Sequence, residues 1–501
     1  MAHKTLINAT EHEITGGVTL VNGTSYKVNN GKVLIGGAEY DISFLLPPAA
    51  LDLWSNSGDN TITCITYANG YYVVCGQFAA ATSGSNMAAR IAYTTSLDGT
   101  WTIKDLWTGN DSIANCITYG NGYWVVGGKQ GGGSYYGTIA FSTNLSGNWT
   151  VNRLWGTSYV DNAINCITFA NGYWVAGGIY RSGSTRRAYI SYTTIASPNS
   201  TWTNATLWSN SAVNEINGIS YANKNWVAVG VYNNLTARLA YAISPDQIGW
   251  TTVDLWSNSG GIGDVKLSCV TYTNGYWVVG GSFTNSGAYY GRIAYTTSLG
   301  AANVWTIKNV FEGFYSRAGV NDITYDKGHW VVAGYKRNAD SNEGAYIAYA
   351  TSLDGPWTEQ ELWLTTDNNY LVKANCVAYL NGYWVVGGNR YDSSYYAHLE
   401  YSPSLEGFND IGGIGGGDIP PVTMISFTID GASYNAEEGM TWYDWANSSY
   451  NTTAYTCAGD DEKVITGNVC IYYSSTTQYG RDTIVAGRAY ASKNVGGGGA
   501  N

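Results

Sequence analysis

Apolar and polar side chains alternate with a period of two in short runs over most of the chain, and each run stops at a Gly- or Asn-containing turn. This is the pattern of half-buried β-strands, whose successive side chains point to opposite faces. In Asn115-Cys116-Ile117-Thr118-Tyr119 the alternation is plain. Asn121-Gly122 follows, the pair suited to a type I′ hairpin turn because both central residues need φ > 0. Tyr123 to Gly128 reads as the returning strand, Thr138-Ile139-Ala140-Phe141 as a third, and Trp149-Thr150-Val151 on to Leu154-Trp155 as a fourth.

The unit repeats. The hairpin motif stands at Asn69-Gly70-Tyr71-Tyr72, Asn121-Gly122-Tyr123-Trp124 and Asn171-Gly172-Tyr173-Trp174, degrades at Asn223-Lys224-Asn225-Trp226, and returns at Asn274-Gly275-Tyr276-Trp277, Lys327-Gly328-His329-Trp330 and Asn381-Gly382-Tyr383-Trp384, with successive copies 50 to 54 residues apart. Seven four-stranded units at this period predict an all-β fold, a seven-bladed β-propeller, with the repeat tryptophans between blades. The strand ends Leu106-Trp107, Leu154-Trp155, Leu207-Trp208, Leu255-Trp256, Val310-Phe311 and Leu362-Trp363 close six units, while the seventh has none after Tyr401. Leu51-Asp52-Leu53-Trp54 stands ahead of the first hairpin with no strands before it. Residues 51–54 are therefore expected to supply the outer strand of the last blade and shut the ring, which removes its open edges.

The propeller is placed at 49–408, behind a small β-repeat module at 1–48 and ahead of a Gly-rich linker at 409–421 and a small, mostly β C-terminal domain at 422–501. In the first module Leu6, Leu20 and Leu34 lie 14 residues apart, as do Ile7, Val21 and Ile35; three hairpins this small cannot bury a core singly, so docking or self-association is expected. In the last region Ile425-Ser426-Phe427-Thr428-Ile429 reads as a strand, Glu437 to Asn447 as a short helix, and Val464 to Tyr473 and Arg481 to Ala491 as strands.

Charge narrows the function classes. The net charge is −11 and charged residues make up 12% of the chain; an acidic surface repels phosphate backbones, so nucleic acid is not an expected partner. No apolar run reaches the ~20 residues of a membrane-spanning helix, and Met1 to Leu6 shows no signal-peptide pattern, so membrane insertion is not expected. Of the eight Cys, five (Cys64, Cys116, Cys166, Cys269, Cys376) share one repeat position; they read as buried thiols, with a Cys64–Cys75 disulfide left open. No metal or cofactor motif is present.

Ser96-Leu97-Asp98-Gly99-Thr100-Trp101 and Ser352-Leu353-Asp354-Gly355-Pro356-Trp357 resemble the Asp-box of sialidase-type propellers, with Asn144-Leu145-Ser146-Gly147-Asn148-Trp149 as a drifted copy. The resemblance implies a structural turn in which Asp98 and Asp354 cap backbone N–H groups. Both flanks resemble segments of phage and prophage tail or virion proteins of Gram-positive hosts: Lys4-Thr5-Leu6-Ile7 and Lys32-Val33-Leu34-Ile35-Gly36-Gly37 their short modular heads, Ile425 to Tyr450 a small C-terminal module. That resemblance implies a virion location, after synthesis in a host cytoplasm, without saying head or tail.

Sialidases use three arginines, a Tyr nucleophile and an acid/base carboxylate. Arg90, Arg187, Arg238 and Arg292 recur near the start of the third strand and read as a structural or rim feature, each covering its blade with its stem; Asp264, Asp322 and Glu343 read as solvated loop charges, and His329 as packing. The expected protein is not an enzyme and holds no cofactor. The binding candidates are the tyrosine pairs Tyr135-Tyr136, Tyr289-Tyr290 and Tyr395-Tyr396 at the start of third strands, placed on one rim, where flat aromatic faces with hydroxyls suit sugars and protein surfaces; the competing reading packs one Tyr of each pair between blades. The expected role is receptor or glycan binding at a host surface by a virion protein. Other virion proteins would be held through the N-terminal module, in a homo-oligomer. A purely structural head-decoration or tail component and a glycan-cleaving enzyme are the alternatives.

Overall fold

The computed structural model describes residues 48–410 apart from segments at 57, 80–86, 133, 158–161, 195–196, 259–263, 286, 314–316, 338–341 and 366–370, and, in the flanks, the backbone of short strands. Contacts divide the chain into Met1–Gly415 and Gly416–Asn501. Within the first unit, seven four-stranded antiparallel sheets follow one another as the blades of a propeller. The first blade is built from Thr61–Ala68, Tyr71–Ala79, Met87–Thr94 and Thr102–Gly109, in that order from the axis outward.

The seventh blade pairs Lys373–Leu380, Tyr383–Asp392 and Ser394–Ser402 with Ala49–Asn56 as its outer strand. Leu51 faces Leu399 and Trp54 faces Ala397, so the ring closes as the sequence predicts. The closing strand makes the bond that four other outer strands make, those of the first, third, fourth and sixth blades. Trp54 Nε1 donates to the Gln77 carbonyl of the next blade at 2.8 Å, as Trp107 donates to Lys129 at 2.8 Å, Trp208 to Val231 at 2.8 Å and Trp256 to Ser282 at 3.0 Å. Closure also carries a charge key. His398, 4% exposed, contacts Asp52 of the closing strand at 2.6 Å, and Arg390 donates to the same carboxylate at 2.8 Å. Burial works to raise the Asp52 pKa, but the hydrogen bonds from His398 and Arg390 outweigh it and hold the carboxyl below its usual range.

The hairpin turns have the conformation their residues suggested: Asn121 has φ 46° and Gly122 φ 81°, and the degraded fourth copy keeps the shape with Asn223 at φ 47° and Lys224 at φ 62°. Lys224 accepts the left-handed region at a cost of roughly 1–2 kcal/mol that Gly would avoid. The repeat tryptophans Trp124, Trp174, Trp226, Trp277 and Trp384 are buried, each at 2% exposure or less. Cys64 and Cys75 face each other in register and both are free thiols.

Each first strand carries a β-bulge, at Thr63, Asn115, Asn165, Asn217, Ser268, Asn321 and Asn375. A bulged residue has no partner across its own hairpin; here it bonds the next blade instead. Asn115 Nδ2 donates to the Ile164 carbonyl at 2.8 Å, Asn165 to Ile216 at 2.9 Å, Asn217 to Leu267 at 2.9 Å, Asn321 to Ala374 at 2.9 Å and Asn375 to Ile62 at 2.8 Å. Thr63 Oγ1 does the same to Ala114 at 2.6 Å. The result is a polar girdle around the axis, broken only at Ser268, whose buried hydroxyl has no partner.

The turns between third and fourth strands correct one expectation. Asp98 bonds the Ser96 hydroxyl, not a backbone N–H. Asp354 reaches the preceding blade, accepting from Tyr295 Oη at 2.7 Å and pairing with Lys308 at 3.1 Å. The backbone is capped by the strand-ending hydroxyls: Thr94 Oγ1 accepts the Ser96 N–H, Ser142 Oγ that of Asn144 and Thr296 Oγ1 that of Ser298, each at 3.2 Å. A short side chain two residues upstream reaches these N–H groups, which leaves the carboxylate free for other donors.

In the N-terminal module His3–Ile7 pairs with Thr10–Thr15, Val18–Val21 with Thr24–Lys27 and Lys32–Ile35 with Ala38–Asp41. In the second unit Met424–Ile429 pairs antiparallel with Ala432–Glu437, and Cys470–Tyr472 lies parallel to the former. The helix expected at 437–447 and the strand expected at 481–491 fall outside the described residues.

Candidate functional site at the channel mouth

Two residues before each girdle position, the first strands begin around one mouth of the central channel. The seven equivalent residues are Thr61, Ile113, Ala163, Glu215, Lys266, Gly319 and Lys373. No two neighbours are alike, in contrast to the girdle one step deeper. Two basins open here. One, of about 450 Å³, is lined by Thr61, Thr63, Asn321, Lys373, Asn375 and Tyr395, among others. The other, of about 440 Å³, includes Asp111, Asn115, Lys129, Asn165, Arg186 and Glu215 in its wall.

Charge gathers on the fifth to seventh blades. Gly319 leaves room that the Tyr335 ring takes: a Cβ there would fall 2.8 Å from the ring. Tyr335 is 4% exposed and donates to Asp264 Oδ2 at 3.2 Å; Lys266 Nζ lies 3.4 Å from the same oxygen. Burial works to raise the Asp264 pKa, but the charges of Lys266 and Lys373 outweigh it and lower it. Lys373 Nζ lies 4.5 Å from the centre of the Tyr335 ring. Burial, then the neighbouring Lys266 charge, bring its pKa down to about 8. Behind this group the Glu343 side chain is fully buried, 3.4 Å from Arg337 Nε and 3.9 Å from Arg317; burial raises its pKa in spite of these cations.

The expectation of solvated loop charges is thereby corrected for Asp322 and Glu343, whereas Asp264 is exposed and lies outside the strands, as expected. Asp264 belongs to the mouth cluster and Glu343 has no exposed surface. Asp322 takes the place of the repeat cysteine on the sixth blade and accepts the N–H groups of Ile323 at 2.9 Å and Val377 at 3.0 Å; burial pushes its carboxyl up to about 6. Glu343 and Asp264 both act on Lys373, and Asp322 stands apart from them.

The repeat arginines are structural. Arg90 pairs with Asp105 at 2.6 Å and lies 3.7 Å from the Phe78 ring centre; Arg238 pairs with Asp254 at 2.5 Å and lies 3.6 Å from Tyr232. Arg292 bonds Asn309 at 2.9 Å over Phe283, and Arg187 lies 5.7 Å from Tyr180. Arg90, Arg238 and Arg292 each lie between the second and fourth strands of their blade, whereas Arg187 stands two residues earlier in its strand, beside Tyr180 of the second strand. His329 packs edge-on to Tyr349.

All six candidate tyrosines are half-buried at the start of third strands, at the same end of the propeller as the mouth. They stay in separate blades, the second, fifth and seventh, and form no single cluster. Tyr136 carries the Arg153 guanidinium at 4.1 Å and Tyr396 that of Arg390 at 4.7 Å. Tyr290 stacks on Phe283, and Tyr289 packs against the core between the fifth and sixth blades. Tyr135 lies 5.9 Å from Lys129, and only Tyr395 lines a basin. Among the described residues no group of three His, Cys, Asp or Glu could hold a metal ion, and no helix is long and apolar enough to cross a membrane.

The mouth cluster escaped the sequence reading, although its trace is there. Aligning the seven copies shows Tyr335 where the other blades have Gln77, Lys129, Ile179, Val231, Ser282 and Asn389, and Gly319 where they carry a side chain. Only the bulge reveals that these departures face the axis.

No family model and no curated protein sequence matches the chain. Some solved structures are similar to it in part. A phage phi92 endosialidase has a TM-score of 0.43 at 10% identity, over 81% of this chain and 76% of that one. A Trypanosoma rangeli sialidase with bound sialic acid has 0.35 at 10%, over 76% and 58%. The catalytic domain of a Coprinopsis cinerea GH62 α-L-arabinofuranosidase has 0.29 at 11%, over 47% and 88%. The chain is a seven-bladed β-propeller with structural similarity to a phage endosialidase and to sialidases. The expectation of a protein without enzymatic activity does not stand. The three similar structures above are named as an endosialidase, a sialidase and an arabinofuranosidase, and the fold leaves catalysis open.

Proposed function

We propose that this chain is a phage virion protein whose propeller binds glycan on a host surface with its mouth face. The observation that carries the reading is the gathering on that face of unlike polar side chains around a basin of about 450 Å³, with half-buried Tyr395 in its wall. A saccharide needs many hydrogen-bonding partners and an aromatic edge, and this face offers both. The tyrosine pairs extend the contact surface outward to the rim. The N-terminal hairpins would join other virion proteins and hold several copies together, as tail fibre, baseplate or surface fibre.

The test is a glycan array probed with the intact chain. Specific binding that falls at least tenfold in Tyr395→Ala and in the double variant Tyr289→Ala/Tyr290→Ala supports the proposal; an array without signal overturns it. Immunogold labelling of whole particles places the chain at head, tail tip or neither.

A second reading, glycan cleavage, is favoured by one feature: Tyr335 bonded to Asp264 beside Lys373, whose pKa of about 8 suits proton transfer near neutrality. Release of reducing sugar from host envelope polysaccharide, lost in Asp264→Asn, would establish it.

A further inference from the structure

The basin of about 450 Å³ has one cation in its wall, Lys373. Its neighbours are already matched. Lys266 has Asp264 at 3.4 Å, and Arg317 and Arg337 share Glu343. Lys373 makes no ion pair or hydrogen bond among the described residues and rests on the Tyr335 ring. Asp59, also in the wall, is exposed and is not among the charges that act on Lys373. Withdrawing an ammonium from water is costly; Asp264 and Glu343 offset part of that cost from a distance, but among the described residues no carboxylate of the fold pairs with Lys373 directly.

Two amides of the wall are placed to accept hydrogen bonds. Asn321 and Asn375 spend their amide N–H groups on the next blade, at 2.9 Å and 2.8 Å. Among the described residues nothing donates to their side-chain carbonyls, which leaves two acceptors beside one cation, with the half-buried Tyr395 ring across the basin.

We propose that this basin is a subsite for a monoanionic saccharide unit, with its negative group on Lys373 and its hydroxyls donating to Asn321 and Asn375. The proposal rests on the glycan-binding reading and narrows it. A single unmatched cation suits a single negative charge, such as a uronic-acid carboxylate or the phosphodiester of a polyol phosphate chain.

The experiment is titration calorimetry of the intact chain with three probes: an oligogalacturonate for the carboxylate, an oligo(glycerol phosphate) for the phosphodiester, and a neutral glucan of equal length. The expected result is that one anionic probe binds at least tenfold more tightly than the glucan, that Lys373→Met removes this preference, and that Lys373→Arg retains most of it. Melting curves show that both variants fold. Which anionic probe binds identifies the source of the charge. Binding of all three probes alike, or an anionic preference unchanged in Lys373→Met, overturns the subsite and leaves glycan binding standing. If none of the three binds while the glycan array gives a neutral ligand, the subsite falls alone; if the array is also silent, both fall.

Discussion

The girdle and the mouth lie two residues apart on the same seven strands, and they obey opposite rules. In the girdle five of seven residues are Asn, and six of the seven junctions carry the same bond from a bulged side chain to the next blade's carbonyl. At the mouth the residues are Thr, Ile, Ala, Glu, Lys, Gly and Lys. The difference teaches where repetition is demanded. Seven blades meet at the axis in one geometry, and a buried carbonyl there costs about 1–3 kcal/mol if left unmatched, so each blade needs the same answer. One step outward the residues stand at a half-buried rim where, among the described residues, the girdle adds only one bond, at the seventh junction, from Asn375 to the Thr61 hydroxyl at 2.9 Å, and the ring can vary. Variation in a repeat that could have stayed uniform points to a surface shaped for something outside the protein.

The comparison breaks if shared positions prove dispensable. The most demanding is Trp54, whose burial and bond to Gln77 repeat in the closing strand what Trp107 and Trp208 do elsewhere. Trp54→Ala should cost about 3–5 kcal/mol, as large-to-small changes at buried aromatics do, read as a lower urea midpoint. A loss below ~1 kcal/mol would mean that the last blade does not depend on its borrowed strand. Next is Asn165→Ala, which removes the donor to Ile216 and should cost about 1–3 kcal/mol. Its partner in the comparison, Ala163→Ser at the mouth, should stay within about 0.5 kcal/mol of the parent. Equal losses at 163 and 165 would erase the distinction.

How far the sequence could be read follows the same division. The blade count, the strand order and the borrowed strand were legible because Asn-Gly turns and Leu-Trp ends recur, and recurrence marks geometry. The girdle was not, although Asn115, Asn165, Asn217, Asn321 and Asn375 precede one repeat position in plain view. Strict alternation says nothing of a bulge, and without the bulge these amides have no evident target. The mouth was less legible still. Tyr335 reaches Asp264 across 71 residues of sequence, and the pairing depends on the gap at Gly319. Tyrosine pairs, in contrast, stand out by composition, and that singled them out while Lys373 went unseen.

The gap in the girdle gives a sharper test with a smaller effect. Ser268 is too short to cross to the sixth blade, and its buried hydroxyl is unmatched. The acceptor at each other junction is the residue just before the next bulge, which here is Val320. Ser268→Asn should stabilise the fold by about 0.5–1.5 kcal/mol, the net worth of one buried hydrogen bond, seen as a higher urea midpoint at unchanged slope. A destabilised variant would show that the fifth junction has been packed for the smaller residue and that the girdle is not one repeated device.

The smallest effect carries the opposite sign to the girdle losses. Lys373 has its pKa lowered to about 8 from an ordinary value of 10.5, so the folded state binds this proton less tightly than the unfolded chain does. Between pH 8 and 10.5 the unfolded state then holds more of this proton, so the contribution of Lys373 to stability rises with pH across that window as the half-buried ammonium discharges, against the opposite trend of the buried thiols, whose pKa values are raised above 9.0. Below pH 8 the full cost is present. Lys373→Met, which keeps the stem and removes the charge, should therefore leave stability at pH 7 unchanged or raise it by up to ~1 kcal/mol, and any advantage over the parent should shrink from pH 8 to 10.5. Glu343 and Asp264 keep their own titrations on the acid side, and the buried thiols contribute equally to parent and variant, so the difference between the two isolates the lysine. A variant markedly less stable at pH 7 would give Lys373 a structural duty and return it to the class of residues that the girdle defines. A variant that is as stable as its parent, yet fails to hold an anionic sugar, would show a charge kept at the mouth against the interest of the fold.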